Sequence, residues 1–382
     1  MYKIPFNRAD IGPQDLALLS KSISDGHISG NGPFTKRAET EISRTLGSNK
    51  TLLTTSCTHA LEMSALLLNL KAGDEVIVPA FTFVSTASAF MLYGAKPVFV
   101  DVRNDTLNID PEAVELAITD RTRAICVVHY GGVACEMEKL TEIAKRHNLL
   151  LIEDNAHGLF AKYKSKYLGT FGSLATQSFH ETKNITCGEG GALVINDPQL
   201  VDRAEILREK GTDRTKFLRG QVDKYTWVDV GSSWVISDLL AAILCGQLER
   251  ADDIYKKRMH IWNRYNIELS DWAQSNNVMT PVVPDGCDHT GHVFFLRLDT
   301  ADSRDRFISH LRDHGILAVF HYQPLHLSTV GRSLGGREGQ FPVTEEAGDC
   351  LVRLPLFNTL TDSEQSFIID TMQKFRVITE KL

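Results

Sequence analysis

The chain has 382 residues, 43% of them hydrophobic and 23% charged, with a formal net charge of −7 at pH 7. That length is too great for one small core and predicts a large domain over 1–250 and a smaller one over 251–382. The composition fits a globular enzyme, and the acidic balance gives no electrostatic basis for a nucleic-acid or anionic-membrane partner. No apolar stretch reaches the roughly 18 residues of a transmembrane helix. Seven cysteines without a CxxC pair, and an N-terminus without an apolar signal region, predict reduced thiols and a cytoplasmic location.

In chain order, apolar runs at 75–78, 98–102, 124–129, 149–153, 174–179 and 192–195 read as strands. Most are continuous rather than alternating, the pattern of strands buried on both faces in a parallel sheet. Helical patterns at 59–70, 85–93, 111–118, 137–147 and 198–210 lie between them, which predicts a doubly wound α/β domain. One long helix is expected over 237–270, apolar in its first half and charged in its second, bridging two domains. Beyond it, strands at 293–298, 318–321 and 352–356 and helices at 303–314 and 363–375 predict a smaller α/β domain.

Chemistry concentrates at the expected strand ends. Lys183 follows the apolar run 174–179 and precedes a turn rich in glycine (Gly188, Gly190, Gly191). Asp154 closes the run 149–153, and active sites of open α/β sheets lie at such carboxyl ends. Alone, the lysine reads as a solvated strand-end charge and the aspartate as a turn cap. Together they suggest pyridoxal 5′-phosphate (PLP), with Lys183 holding the aldehyde as a Schiff base and Asp154 keeping the ring nitrogen protonated.

Ser56, Cys57 and Thr58 open an apolar helix, where free N–H groups and the helix dipole favour a phosphate. An ordinary cap at Thr58, with Glu62 following, uses the same groups. Phe83 is the candidate ring to stack on the cofactor, with Phe81 next. His321, Tyr322 and His326 fall within six residues without a zinc spacing, and read as a polar loop lining a substrate cleft rather than a metal site.

These elements jointly resemble the nucleotide-sugar aminotransferases of the DegT/DnrJ/StrS type, within PLP-dependent transferase fold type I, the aspartate-aminotransferase-like fold. The resemblance runs from about Ile4 to Phe375. It rests on Ser56-Cys57-Thr58, the run from Pro79 to Thr86, Glu153-Asp154-Asn155-Ala156-His157, the run from Ser178 to Asn184 with its glycine turn, and the run from Ser237 to Ala242. Further stretches resemble the branch that aminates dTDP-4-oxo-6-deoxyglucose for enterobacterial common antigen. They are Val128-His129-Tyr130, the runs 132–137 and 219–227, and 321–326.

The resemblance implies Lys183 and Asp154 as catalytic residues, Ser178 as a phosphate ligand, and His157 near the cofactor's phenolic oxygen. His157 stands where relatives often carry glutamine. It implies that the loop 30–35 borders the sugar, and that a homodimer builds each active site from both subunits. Ser233 stands where many members place a partner-subunit asparagine on the phosphate. Glutamate would be the amino donor, with pyridoxamine phosphate (PMP) as the intermediate form. Arg219 and Lys224 are candidates for its carboxylate, a choice the sequence leaves open, as it does C4 against C3 amination. Lys183 argues against the related dehydratases, which carry histidine there. Lys183 and Asp154 together argue against a non-catalytic regulator, and no GxGxxG supports a Rossmann dehydrogenase.

Overall fold

The computed structural model describes residues 2–376; position 1 and positions 377–382 of the two expected domains lie outside them. The strands are β1 (Lys50–Thr54), β2 (Glu75–Pro79), β3 (Lys96–Val100), β4 (Thr122–Val128), β5 (Leu150–Asp154), β6 (Lys162–Tyr163), β7 (Lys166–Tyr167), β8 (Leu174–Ser178), β9 (Gly191–Ile195), β10 (Cys287–Asp288), β11 (Phe295–Arg297), β12 (Val319–Phe320) and β13 (Leu351–Arg353). Seven of them form one sheet in the order β1-β9-β8-β5-β4-β2-β3. β9 runs antiparallel to both its neighbours, and the other adjacent pairs are parallel.

The continuous apolar runs arise because both faces are covered. Ile77, Ile125, Val127 and Leu151 point to one core, against the helices Pro111–Leu116 and Met137–Arg146. Their chain neighbours Val76, Val78, Ala124, Cys126 and Ile152 point to another, against Cys57–Leu67 and Ser85–Met91. Successive side chains of a strand alternate faces, so a strand between two helical layers must be apolar throughout. All parallel strands then end on one side of the sheet, which brings Asp154 and Ser178 to one rim.

The expected helix over 237–270 is two helices, Asp238–Glu249 and Ala251–Glu268. Arg250 breaks it with non-helical angles (φ −111°, ψ 20°). Its guanidinium turns back to Asp10 Oδ2 and Asp15 Oδ2, each at 2.8 Å. No proline or glycine announces this break; a long-range ion pair sets it. Past it lies a second core around Trp262, Tyr265, Phe294 and Phe307, built on the antiparallel sheet β11-β13-β12. Ile4 packs into that core and pairs with Ile316, so the N-terminal segment joins C-terminal residues. The strand expected over 352–356 is shorter, because Pro355 has no N–H to continue the ladder. β6 and β7 form a small sheet with β10.

Candidate active site

Asp154 is buried at the end of β5. Its Oδ2 accepts from Thr86 Oγ1 at 2.8 Å, and its Oδ1 from the Ala156 N–H at 3.3 Å. Burial raises its affinity for a proton, and those two donors oppose the rise. Lys183 lies past β8 in a turn closed by its own N–H on the His180 carbonyl at 2.9 Å. Asp154 and Lys183 line one cavity of about 330 Å³. Burial lowers the Lys183 ammonium from 10.5 to about 8, with Arg353 adding to the fall and Cys57 and Asp154 opposing it. Asn184 is clamped beside it, donating to the Thr290 carbonyl at 2.9 Å and bonded through Oδ1 to His292 Nδ1 at 2.8 Å.

Ser56, rather than Thr58, caps the helix Cys57–Leu67, accepting from the His59 N–H at 3.1 Å. Thr58 instead bonds Ser85 Oγ at 2.8 Å, and Cys57 Sγ meets Thr176 Oγ1 at 3.4 Å. Ser56, Cys57, Thr58, Ser85 and Ser178 all line the cavity. Gly191, opening β9, is forced by this corner: a Cβ there would lie 2.3 Å from Cys57 N and from Ser56 C.

Phe83 lines the same cavity and is 57% exposed, whereas Phe81 is buried in the core and does not line it. His157 is buried, with its ring centroid 4.3 Å from that of His292. Its Nδ1 accepts from the Gly131 N–H at 3.2 Å. The neutral ring therefore carries its proton on Nε2. Burial keeps His157, His292 and His321 well below the usual histidine range, with Lys183 and Arg353 adding to it. His321 bonds Tyr130 Oη at 3.1 Å, and both His321 and Tyr322 line the cavity.

Four expected site residues lie elsewhere. His326 is 0% exposed and bonds Glu345 Oε1 at 3.0 Å, so its ring braces a loop instead of facing a substrate. Arg219 is committed to Glu205 by two bonds of 2.6 and 2.9 Å. Lys224 and Ser233 sit on an exposed segment away from this cavity. The loop 30–35 does not line it either: the Phe34 and Thr35 N–H groups bind Asp238 at 3.2 and 2.7 Å.

The profile of the DegT/DnrJ/EryC1/StrS aminotransferase family matches residues 9–373. The chain belongs to that family. Curated relatives include the spore coat polysaccharide biosynthesis protein SpsC of Bacillus subtilis, 31% identical over 97% of this chain and 96% of that one. A pleiotropic regulatory protein of Geobacillus stearothermophilus is 34% identical over 90% of both. Among solved structures, the aminotransferase TlmJ of Streptoalloteichus hindustanus superposes with a TM-score of 0.88, at 30% identity over 98% of both chains. Spr1654 of Streptococcus pneumoniae, described as a sugar aminotransferase, superposes in its PMP form at 0.91, with 27% identity over 97% of this chain and 98% of that one.

The fold is therefore that of the PLP-dependent aminotransferases, and the cofactor is PLP. The residues present fit it. A half-buried lysine whose side chain has no hydrogen bond or ion pair among the described residues shares a cavity with a buried carboxylate. Hydroxyls and a helix N-terminus close one corner, against a strand that tolerates only glycine. Sequence reasoning missed Thr86, His292 and Arg353. Thr86 closes the run from Pro79 to Thr86 that carried the resemblance, and Arg353 left a signal as a cation inside the apolar run Leu351-Val352-Arg353-Leu354.

Proposed function

We propose that this aminotransferase moves an amino group from glutamate to C4 of dTDP-4-oxo-6-deoxy-D-glucose, giving dTDP-4-amino-4,6-dideoxy-D-galactose. The observation that carries the transamination is the shared cavity of Lys183 and Asp154, with the lysine's basicity brought to about 8. When bound, PLP supplies the electron-withdrawing ring that takes up the electron pair released at the substrate carbon.

The chain's own residues do the rest. Asp154, held by Thr86 and the Ala156 N–H, keeps a proton on the pyridine nitrogen. Ser56, Cys57, Thr58 and Ser178 bind the phosphate, with the N-terminus of the helix Cys57–Leu67 adding its dipole. Phe83 would cover one face of the ring, and His157, with its Nε2–H free to donate, would hold the phenolic oxygen. The Lys183 amine removes the proton from the donor α-carbon and later delivers one to the sugar carbon. A pKa of about 8 leaves it able to do both near neutrality.

His321 and Tyr322 border the sugar end of the cavity in this reading. The destination of the product is a surface polysaccharide, such as enterobacterial common antigen. The name of SpsC, a spore coat polysaccharide biosynthesis protein, supports that class. A homodimer belongs to the same reading, with Ser233, Lys224 and the segment 219–227 serving the partner's cavity. It is supported by aromatic surface left open on that segment in one chain, where Tyr225 is 52% and Trp227 is 77% exposed. We read residues 1–250 and 251–382 as the two domains around the cleft. The cytoplasm is the location, a reading supported by seven free cysteines. Among the described residues no helix is long and apolar enough to cross a membrane.

The test is to incubate the enzyme with glutamate and a panel of nucleotide-linked 3-oxo and 4-oxo sugars, and to assign products by NMR. The expected product is the C4 amine of galacto configuration on the dTDP sugar. Amination at C3, the opposite C4 configuration, or preference for another nucleotide would replace this substrate with another oxo-sugar. No amine on any sugar would remove the aminotransferase reading itself.

A further inference from the structure

We propose that Arg353 receives the α-carboxylate of the amino donor. This rests on the reading of the cavity as a glutamate-dependent aminotransferase site, and it replaces Arg219 and Lys224 as the carboxylate's partner.

Arg353 and Lys183 are the lysine and arginine side chains that line the cavity. Lys183 is taken by the cofactor, and His157, His292 and His321 are held neutral by burial. Among the lysines and arginines that this chain contributes to the cavity, Arg353 is thus the one left for an anionic substrate. Its position is fixed, because β13 pairs it with Phe295 on one side and Val319 on the other. The guanidinium lies over the Phe6 ring at 4.6 Å, which covers one face and leaves the hydrogen-bonding edge free.

That edge is without a partner. Among the described residues the Arg353 side chain makes no hydrogen bond or ion pair, and its Nε is buried with nothing to donate to. Other arginines leave single nitrogens open, Arg250 Nε and Arg208 Nε among them, but their guanidiniums hold partners. Arg219 holds Glu205, Arg250 holds Asp10 and Asp15, and Arg258 donates to the carbonyls of Gly291, His292 and Leu356. A buried donor left open is costly unless a ligand arrives, and a planar guanidinium matches a carboxylate with two parallel bonds.

The nucleotide sugar also carries anionic oxygens, on its diphosphate. Geometry favours the amino acid. Arg353 lies close enough to Lys183 to lower its basicity. The α-carboxylate is one bond from the carbon whose proton Lys183 takes, whereas the sugar ring separates the diphosphate from C4.

The experiment compares the wild-type holoenzyme with Arg353→Met and Arg353→Lys, each checked for bound cofactor and thermal melting. The two half-reactions are followed separately, one against glutamate and one against the nucleotide sugar. For Arg353→Met the glutamate KM should rise about 100-fold while the sugar KM stays within about threefold, with Arg353→Lys between. The wild type should prefer glutamate over its α-amide, isoglutamine, by about 100-fold, and Arg353→Met should lose that preference. An unchanged glutamate KM, an equal rise for both substrates, or a retained preference overturns the assignment. Should Arg353→Met fail to fold, Arg353→Lys keeps the charge and must still shrink the preference; an unaltered ratio overturns it equally. A wild type that converts no glutamate refutes the reading of glutamate as the donor instead, so the two failures are distinguishable.

Discussion

Thr86 donates its hydroxyl hydrogen to Asp154 Oδ2 at 2.8 Å across 68 positions of chain. Because that hydrogen is committed, the 2.9 Å contact between the hydroxyls of Thr82 and Thr86 runs with Thr82 as donor. The two threonines form a relay that favours the ionised carboxylate at a buried site, where desolvation favours the neutral acid. A protonated Asp154 cannot hold a cationic ring nitrogen, so the relay protects the electron sink.

Thr86→Val keeps the shape and removes the donor. The Asp154 pKa should rise further, and kcat at neutral pH should fall about tenfold, as expected for the loss of one charge-assisted bond of ~1.5 kcal/mol. The acid limb of the kcat profile should move to higher pH, since protonation of Asp154 now begins earlier. A pH–rate profile of the variant checks this; an acid limb that stays in place sinks the relay.

Gly191→Ala tests the phosphate corner. A methyl 2.3 Å from Cys57 N and Ser56 C cannot be accommodated by a side-chain rotation, because both atoms are backbone. The helix start must shift, moving the N–H groups and hydroxyls that bind the phosphate. The expected result is at least a tenfold weaker PLP dissociation constant and a stability loss of ~2 kcal/mol or more. Fluorescence titration of the apoprotein and thermal melting read the two effects, and an unaltered PLP affinity would remove the corner from the binding site.

His321 and His326 should separate by experiment as they do in space. His326→Leu removes the bond to Glu345 at a fully buried site and should cost about 1–3 kcal/mol of stability, with the sugar KM unchanged. His321→Leu acts on a ring that lines the cavity and should raise the sugar KM. Melting curves and initial rates on the two variants decide it; a raised sugar KM in a folded His326→Leu protein would return that ring to the substrate.

What the sequence made legible follows from the strength of its constraints. Strands such as β2, β4 and β5 are readable because two helical layers demand apolar residues on both faces. Lys183 and Asp154 stand out because covalent capture of an aldehyde and protonation of a pyridine admit few side chains, and the cavity gathers both. The break at Arg250 is silent, since its cause is an ion pair to Asp10 and Asp15 at the far end of the chain. His321 and His326 look alike in sequence because the short helical turn Leu325–Leu327, not residue type, points one ring inward to Glu345. Arg353 hides in a strand three residues long, where its value lies in the partner it lacks.

The last prediction concerns Lys183 in the apoprotein. Burial brings its pKa from 10.5 to about 8, Arg353 lowers it, and Cys57 and Asp154 raise it. Competitive labelling with trace acylating reagent should give a midpoint near pH 8 for Lys183 and near 10.5 for exposed lysines. Arg353→Met should move the midpoint up and Asp154→Asn should move it down. Stability carries the same sign. Between about 8 and 10.5 the folded chain holds fewer protons at this site than the unfolded one, so the stability of the apoprotein gains as pH climbs through that window. Lys183→Met removes the buried ammonium, so the apo variant should be more stable than wild type at pH 7, by about 1–3 kcal/mol, and the difference should close toward pH 10.5. Urea unfolding of both proteins at pH 7 and pH 10 measures it. A variant less stable than wild type at pH 7 would mean that the Lys183 charge is compensated in the cavity, and its readiness to act as a neutral amine would need another cause.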